Sequence, residues 1–102
     1  MVYEKLVRDR IPAIMESKEQ RPCIRILSDE EYMVALERKL DEETEEFHRD
    51  KNLEELADIL EEVYTLTEAL GSSREELIDV YQKKHNSRGG FRDRVYLISN
   101  EG

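Results

Sequence analysis

Three segments of this chain carry the polar residues that begin α-helices, and these signals limit the fold more than any other feature. Ser28–Glu31 and Ser73–Glu76 have capping-box spacing, in which the hydroxyl accepts a backbone N–H and the glutamate reaches back. Asn52 begins the remaining segment, in "NLEE". We therefore predict three helices, from Ser28 to about Arg49, from Asn52 to Gly71, and from Ser73 to just before Gly89.

The two ends of the chain are less regular. We expect an irregular N-terminal arm and then a short helix that begins near Asp9, with Pro12 in its first turn. The segments "CIRIL" (23–27) and "FRDRVYLIS" (91–99) have strand character, and at most a minor two-stranded ribbon is expected from them. The predicted fold is a single all-α domain over residues 1–102, a small bundle of three main helices plus a short N-terminal helix.

The composition indicates a thin core. Of the 102 residues, 38% are apolar and 40% are charged, so we expect a homodimer or a higher homo-oligomer. The net charge of -9 argues against duplex nucleic acid or an anionic membrane as partner, because phosphate contacts need a basic surface. No apolar run approaches the roughly 20 residues of a membrane span. A single cysteine, Cys23, fits a reducing compartment, and we expect a cytoplasmic protein.

One glutamate of the first long helix lies where the apolar pattern requires an aliphatic side chain. The stretch "KLDEETEEF" (39–47) holds five acidic residues. At about 100° per residue, Tyr32, Leu36, Leu40 and Phe47 form one apolar stripe, and Glu43 falls inside it. A carboxylate on a core face is unfavourable unless it is paired or bound to a cation. Three interpretations of this residue compete: an imperfect stripe, a salt bridge, or a metal ligand.

The second long helix brings more carboxylates to the same place. Its connection to the first, "HRDKN", is short, so the two helices should form an antiparallel hairpin. In that hairpin Glu46 lies opposite Glu55, and Glu43 lies opposite Asp58 about one turn further from the loop. Four converging carboxylates repel one another, and a divalent cation relieves the repulsion. Because all-oxygen ligands favour hard ions, we predict a site for Mg²⁺ or Mn²⁺.

The third long helix carries two cations on its inward side. Leu77 and Tyr81 define its apolar stripe, and the same spacing continues to Lys84 and Arg88. In a structural role, these cations neutralise the carboxylates or extend from a frayed helix end. In a functional role, they hold the phosphate oxygens of a ligand. The residues alone leave both interpretations open.

Together these segments resemble the MazG-like, all-α nucleoside triphosphate pyrophosphohydrolases. The acidic signature of that family is Glu-Glu-x-x-Glu followed by Glu-x-x-Asp, which "EETEE" (42–46) and "EELAD" (54–58) match. "KLVRDRIP" (5–12) and "RGGF" (88–91) are similar to a subgroup of house-cleaning or phosphoribosyl-ATP pyrophosphohydrolase-like proteins. The likeness spans nearly the whole chain. One departure is that only eight residues separate Glu46 from Glu55, fewer than is typical of the family.

The resemblance implies Mg²⁺-dependent hydrolysis of a nucleotide substrate between the α and β phosphates, with release of a nucleoside monophosphate and pyrophosphate. It also implies a helical bundle that completes its site by oligomerisation. In that chemistry the four converging carboxylates hold the metal, and the general base is either one of them or Glu42, which lies at the edge of the set. If all four are metal ligands, Glu42 is the favoured base. The expected substrate contacts are Lys84 and Arg88 on the third helix and, from the resemblance alone, Lys5, Arg8 and Arg10 in the arm.

Two alternatives to this function stay open. One is a biosynthetic phosphoribosyl-ATP pyrophosphohydrolase, since the tighter first hairpin prevents the substrate from being carried over from the family. The other is a non-catalytic helical regulatory module that binds nucleotide without releasing pyrophosphate. A panel of substrates with pyrophosphate detection separates all three.

Overall fold

The computed structural model describes residues 4–102, which form four α-helices and no β-strand. The helices are α1 (Ile11–Ser17), α2 (Asp29–Asp50), α3 (Leu53–Ala69) and α4 (Arg74–Arg88). The all-α prediction is confirmed, and the three long helices begin directly after the capping residues that the sequence indicates. The short helix α1 begins later than expected, because Arg10 rather than Asp9 is the residue that precedes its first turn.

Hydrogen bonds at the helix starts confirm the predicted caps. Ser28 Oγ accepts from the backbone N–H of Glu31 at 3.3 Å, and Glu31 Oε1 accepts from the N–H of Ser28 at 3.2 Å, which completes a capping box. Asn52 Oδ1 accepts from the N–H of Glu55 at 3.0 Å. Arg25 donates to both carboxylate oxygens of Glu31, and this pairing, with the donors of Ser28, holds the pKa of Glu31 at about 2.

The α2–α3 hairpin contains the core of the molecule. Lys51 turns the chain in a left-handed conformation (φ 47°, ψ 47°), and its N–H donates to the carbonyl of Phe47 at 2.7 Å. Leu36 is 1% exposed and is the one buried apolar side chain among the described residues. Because the apolar interior is so small, the polar residues of the seam between α2 and α3 make up much of what this hairpin buries.

The prediction of a minor two-stranded ribbon is wrong for the described residues. The segments 23–27 and 91–99 have no strand, and except for the half-buried Leu27 their apolar side chains are open to solvent, with Ile26 88% and Val95 87% exposed. An isolated two-stranded ribbon is marginal in water unless a further strand or a helix covers one of its faces. The strand propensity of a five-residue segment such as 23–27 is therefore not sufficient to form a ribbon.

The fourth helix is largely exposed. Gly71 ends the preceding helix in a left-handed conformation (φ 86°), as predicted. Leu77 is the one partly buried side chain of α4, and Tyr81 is 58% exposed. The molecule is elongated, with a radius of gyration of 18.2 Å against about 13 Å for a compact domain of this length. Within residues 4–102, no helix has both the length and the apolar character needed to cross a membrane.

Candidate functional site

Four carboxylates meet on the seam between α2 and α3. They are Glu43, Glu46, Glu55 and Asp58, and one oxygen from each lies within 4.8 Å of the others. The spacing of three residues places each pair on one face of its helix, and the antiparallel hairpin turns the two faces toward each other. The convergence predicted from the sequence is confirmed.

Glu43 is the most buried member of this cluster, with 6% of its surface exposed. Its Oε1 lies 3.3 Å from Nζ of Lys39, so the salt-bridge interpretation is correct for one oxygen. Its Oε2 is buried and has no hydrogen-bond partner in the described part of the chain. A salt bridge alone therefore does not account for the whole carboxylate.

The electrostatics of the cluster disfavour the charged forms of two of its carboxylates, Glu43 and Glu55. Burial raises the pKa of Glu43; Lys39 opposes that rise, while the charges of Glu46 and Asp58 add to it. Partial burial also raises the pKa of Glu55, with a further contribution from Glu46. Oε2 of Glu55 is, like that of Glu43, buried without a hydrogen-bond partner in the residues described. An oxygen-only donor set with unsatisfied carboxylate oxygens fits a hard divalent cation.

The N-terminal arm reaches the cluster through Arg8. Its Nη2 lies 2.6 Å from Oδ1 of Asp58, and its Nη1 lies 3.9 Å from Oε1 of Glu61. The Arg8 side chain is 55% exposed, so this ion pair adds little to stability and leaves the guanidinium accessible. Lys5 and Arg10 are exposed residues of the same arm. The structure thus brings Arg8, one of the predicted substrate contacts, to the carboxylates.

Glu42 lies at the edge of the cluster. Its Oε2 is 3.5 Å from Nζ of Lys39, and its side chain is 45% exposed. It does not belong to the group of four converging carboxylates. Its role as a general base stays a prediction.

Lys84 and Arg88 are exposed on α4. In residues 4–102 neither side chain forms an ion pair with the four carboxylates. Among the described helices, α4 packs against α3 and has no contact with α2, and its last turns are exposed. Their proposed contact with phosphate therefore stays a prediction.

Two residues of the seam are missing from the sequence-based site. Lys39 precedes Glu43 by four residues, and Glu62 follows Asp58 by four residues, so both continue the seam by one turn. Glu62 is 8% exposed, and its Oε2 lacks a hydrogen-bond partner in the described range. The hairpin register that places Glu43 opposite Asp58 also places Lys39 opposite Glu62. The same register, extended by one turn, is the sequence signal that could have identified them.

Comparisons with known proteins add one partial match. An uncharacterized protein of Mycolicibacterium smegmatis is 55% identical to this chain over 42 residues. The match covers 41% of this chain and 43% of that protein, so it spans less than half of either. No protein-family model matches the chain, and no solved structure matches it.

Proposed function

We propose that this protein is a Mg²⁺-dependent nucleoside triphosphate pyrophosphohydrolase that hydrolyses its substrate between the α and β phosphates. The observation that carries the proposal is the convergence of four carboxylate oxygens within 4.8 Å on one helix–helix seam. The burial of Glu43 with one unpaired oxygen supports it, because folding alone does not favour such a residue. The likeness of "EETEE", "EELAD", "KLVRDRIP" and "RGGF" to the MazG-like enzymes supports the reaction type.

In this proposal Glu43, Glu46, Glu55 and Asp58 hold Mg²⁺, with Mn²⁺ as a substitute. When bound, the cation neutralises charge on the triphosphate and lowers the pKa of the attacking water. Glu42, which lies outside the ligand set, accepts the proton of that water.

Cationic side chains complete the proposed substrate site. Arg8 already contacts Asp58, and its exposed guanidinium is placed to bind a phosphate oxygen at the edge of the cluster. Lys5 and Arg10 extend the same arm, and Lys84 and Arg88 offset the negative charge that develops on the phosphates. We propose that Lys84 and Arg88 reach the carboxylates of a second copy in a homo-oligomer, since one chain does not join them to its own. The nucleotide substrate and the single cysteine fit action in the cytoplasm.

A substrate panel tests the proposal. Standard and modified nucleoside triphosphates and phosphoribosyl-ATP are incubated with the protein, with and without millimolar Mg²⁺, and pyrophosphate release is measured. We expect release from at least one nucleoside triphosphate, only in the presence of the cation. Turnover of phosphoribosyl-ATP alone would assign the biosynthetic activity instead. Nucleotide binding without any pyrophosphate would assign a regulatory module.

A further inference from the structure

Glu62 is a buried carboxylate that the proposed ligand set does not use. It is 8% exposed, and its Oε2 has no hydrogen-bond partner among the residues described. Burial raises its pKa, and the charge of Lys39 is the largest effect opposing that rise. A buried charge without a partner is unfavourable for folding, so its presence near the carboxylate of Glu43 requires a reason.

Lys39 interacts with this carboxylate and with the proposed metal ligands, since its charge acts on Glu62 and its ammonium contacts Glu43. Its Nζ is 3.3 Å from Oε1 of Glu43 and 3.5 Å from Oε2 of Glu42, and its side chain is 19% exposed. The antiparallel register places it opposite Glu62 across the seam. Burial lowers the pKa of Lys39, but the carboxylates around it outweigh that effect and leave the pKa raised. The ammonium of Lys39 is therefore paired with Glu43 on its own helix and lies opposite Glu62, an unpaired carboxylate on the facing helix.

We propose that Lys39 and Glu62 are positioning residues of the metal site: the ammonium is the counter-cation of Glu43 in the metal-free protein and moves to Glu62 when a divalent cation binds. This inference rests on the proposed metal site. An ammonium and a divalent cation repel each other at one carboxylate. The flexible lysine stem allows the move, and the move gives Glu62 the partner that it lacks. Glu62 thereby lowers the electrostatic penalty of loading the site.

A double-mutant cycle on metal affinity tests this transfer. Mn²⁺ binding is measured by calorimetry on the parent, on Glu62→Gln, on Lys39→Met and on the double variant. We expect Glu62→Gln to weaken Mn²⁺ binding about tenfold, as loss of a supporting residue commonly does. In the Lys39→Met background the same substitution should weaken binding by less than about threefold, because no ammonium remains to be moved. Glu68→Gln removes one charge from the exposed side of α3 and should bind Mn²⁺ like the parent.

The results distinguish transfer of the Lys39 ammonium from a general effect of the negative charge of Glu62. Equal weakening in both backgrounds would mean that Glu62 acts only as a general negative charge, and it would overturn the transfer. Unchanged affinity in Glu62→Gln would overturn it as well. If the parent itself binds no Mn²⁺, the proposed metal site and the transfer of the ammonium are both wrong. Far-UV circular dichroism checks folding, and Glu62→Leu, which places an apolar side chain at the buried position, repeats the cycle if Glu62→Gln does not fold.

Discussion

Glu43 is 6% exposed on a helix face where packing alone favours leucine, and only one of its oxygens has an ion pair. Replacing a residue that folding does not favour tends to trade activity for stability when the residue is functional. Its partner Lys39 also lies 3.5 Å from Glu42, so the lysine keeps a carboxylate if Glu43 is removed. The structural and the functional interpretations of Glu43 therefore predict opposite effects of the same substitution.

We predict that Glu43→Leu is at least as stable as the parent in metal-free buffer. Burial of the leucine contributes up to about 1.5–3 kcal/mol, and the substitution also removes one charge from a crowded seam. The variant should lose its stabilisation by Mg²⁺ and nearly all pyrophosphate release. Denaturant unfolding and the pyrophosphate assay measure the two effects.

The matched control for this variant is Glu45→Leu, which alters an exposed position on the same helix. It should keep most of the turnover and the response to Mg²⁺. A Glu43→Leu protein that unfolds would establish a structural salt bridge, and one that keeps full activity would exclude Glu43 as a ligand.

The raised pKa values of the seam predict an unusual pH dependence. In Glu43, Glu55 and Glu62 burial is the largest cause of the rise from the ordinary value of 4.5. Their charged forms are disfavoured in the folded state, so this penalty is absent below the unfolded pKa and grows as pH rises through the folded pKa. The metal-free protein should therefore have a larger free energy of unfolding at about pH 5 than at about pH 8.

Denaturant unfolding at both pH values measures this difference. Mg²⁺ should reduce it, because the cation favours the deprotonated carboxylates. Glu62→Gln should also reduce it, since the substitution removes one of the titrating groups. Greater stability at the higher pH in metal-free buffer would contradict the assignment of a desolvated acidic seam.

The four converging carboxylates were predictable because helix periodicity and a short loop determine where they point. Glu62 is one of two adjacent glutamates in "LEEVY", and helix periodicity alone does not say which of them is buried. The hairpin register does, because it places Glu62 rather than Glu61 opposite Lys39. The contact of Arg8 with Asp58 lies in an irregular arm, and no repeat in the sequence determines the path of such a segment.

Among the secondary-structure elements, the long helices were predictable from their caps, and the ribbon was not. Ser28, Asn52 and Ser73 each accept a hydrogen bond from the N–H three residues later, and this local chemistry needs no tertiary information. A ribbon forms only if two segments that are distant in the sequence meet. The strand propensity of each segment gives no information about that pairing. The orientation of α4 depends on tertiary packing in the same way, and its last two turns are exposed.

Because the last two turns of α4 are exposed, substitutions there test the predicted substrate contacts with little effect on folding. Lys84→Ala and Arg88→Ala should each change the free energy of unfolding by less than about 0.5 kcal/mol, because exposed side chains without ion pairs add little. Each should lower kcat/KM by at least about tenfold if the cation holds a phosphate. Lys83→Ala, an exposed lysine on another side of the helix, is the control and should keep its activity. Lost stability with unchanged turnover would establish the structural role.

The whole molecule exposes more surface than a protein of its size normally does. Its accessible area is 9727 Å², whereas a compact monomer of 12.1 kDa exposes about 6,000 Å². Apolar side chains contribute to the excess, including Leu56 and Leu60 on α3, which are 46% and 48% exposed. Obligate dimers bury about 2,000–5,000 Å² in total, so the excess is sufficient for such an interface.

We therefore predict a homodimer or a higher homo-oligomer in solution. Light scattering should give at least twice the chain mass of 12.1 kDa, and the melting temperature should rise with protein concentration. Leu60→Glu should shift the equilibrium toward the monomer, because it places a charge on the exposed apolar face of α3. A cooperative, concentration-independent unfolding transition of a species with the monomer mass would contradict this prediction.

Thermal unfolding with and without Mg²⁺ shows whether the carboxylate seam binds a divalent cation. The parent should melt at a higher temperature in millimolar Mg²⁺ or Mn²⁺, because the cation binds the folded state and relieves the repulsion among Glu43, Glu46, Glu55 and Asp58. Glu43→Leu should show no such rise, and Glu45→Leu should behave like the parent. An unchanged melting curve of the parent in both cations, with and without nucleotide, would contradict the metal site.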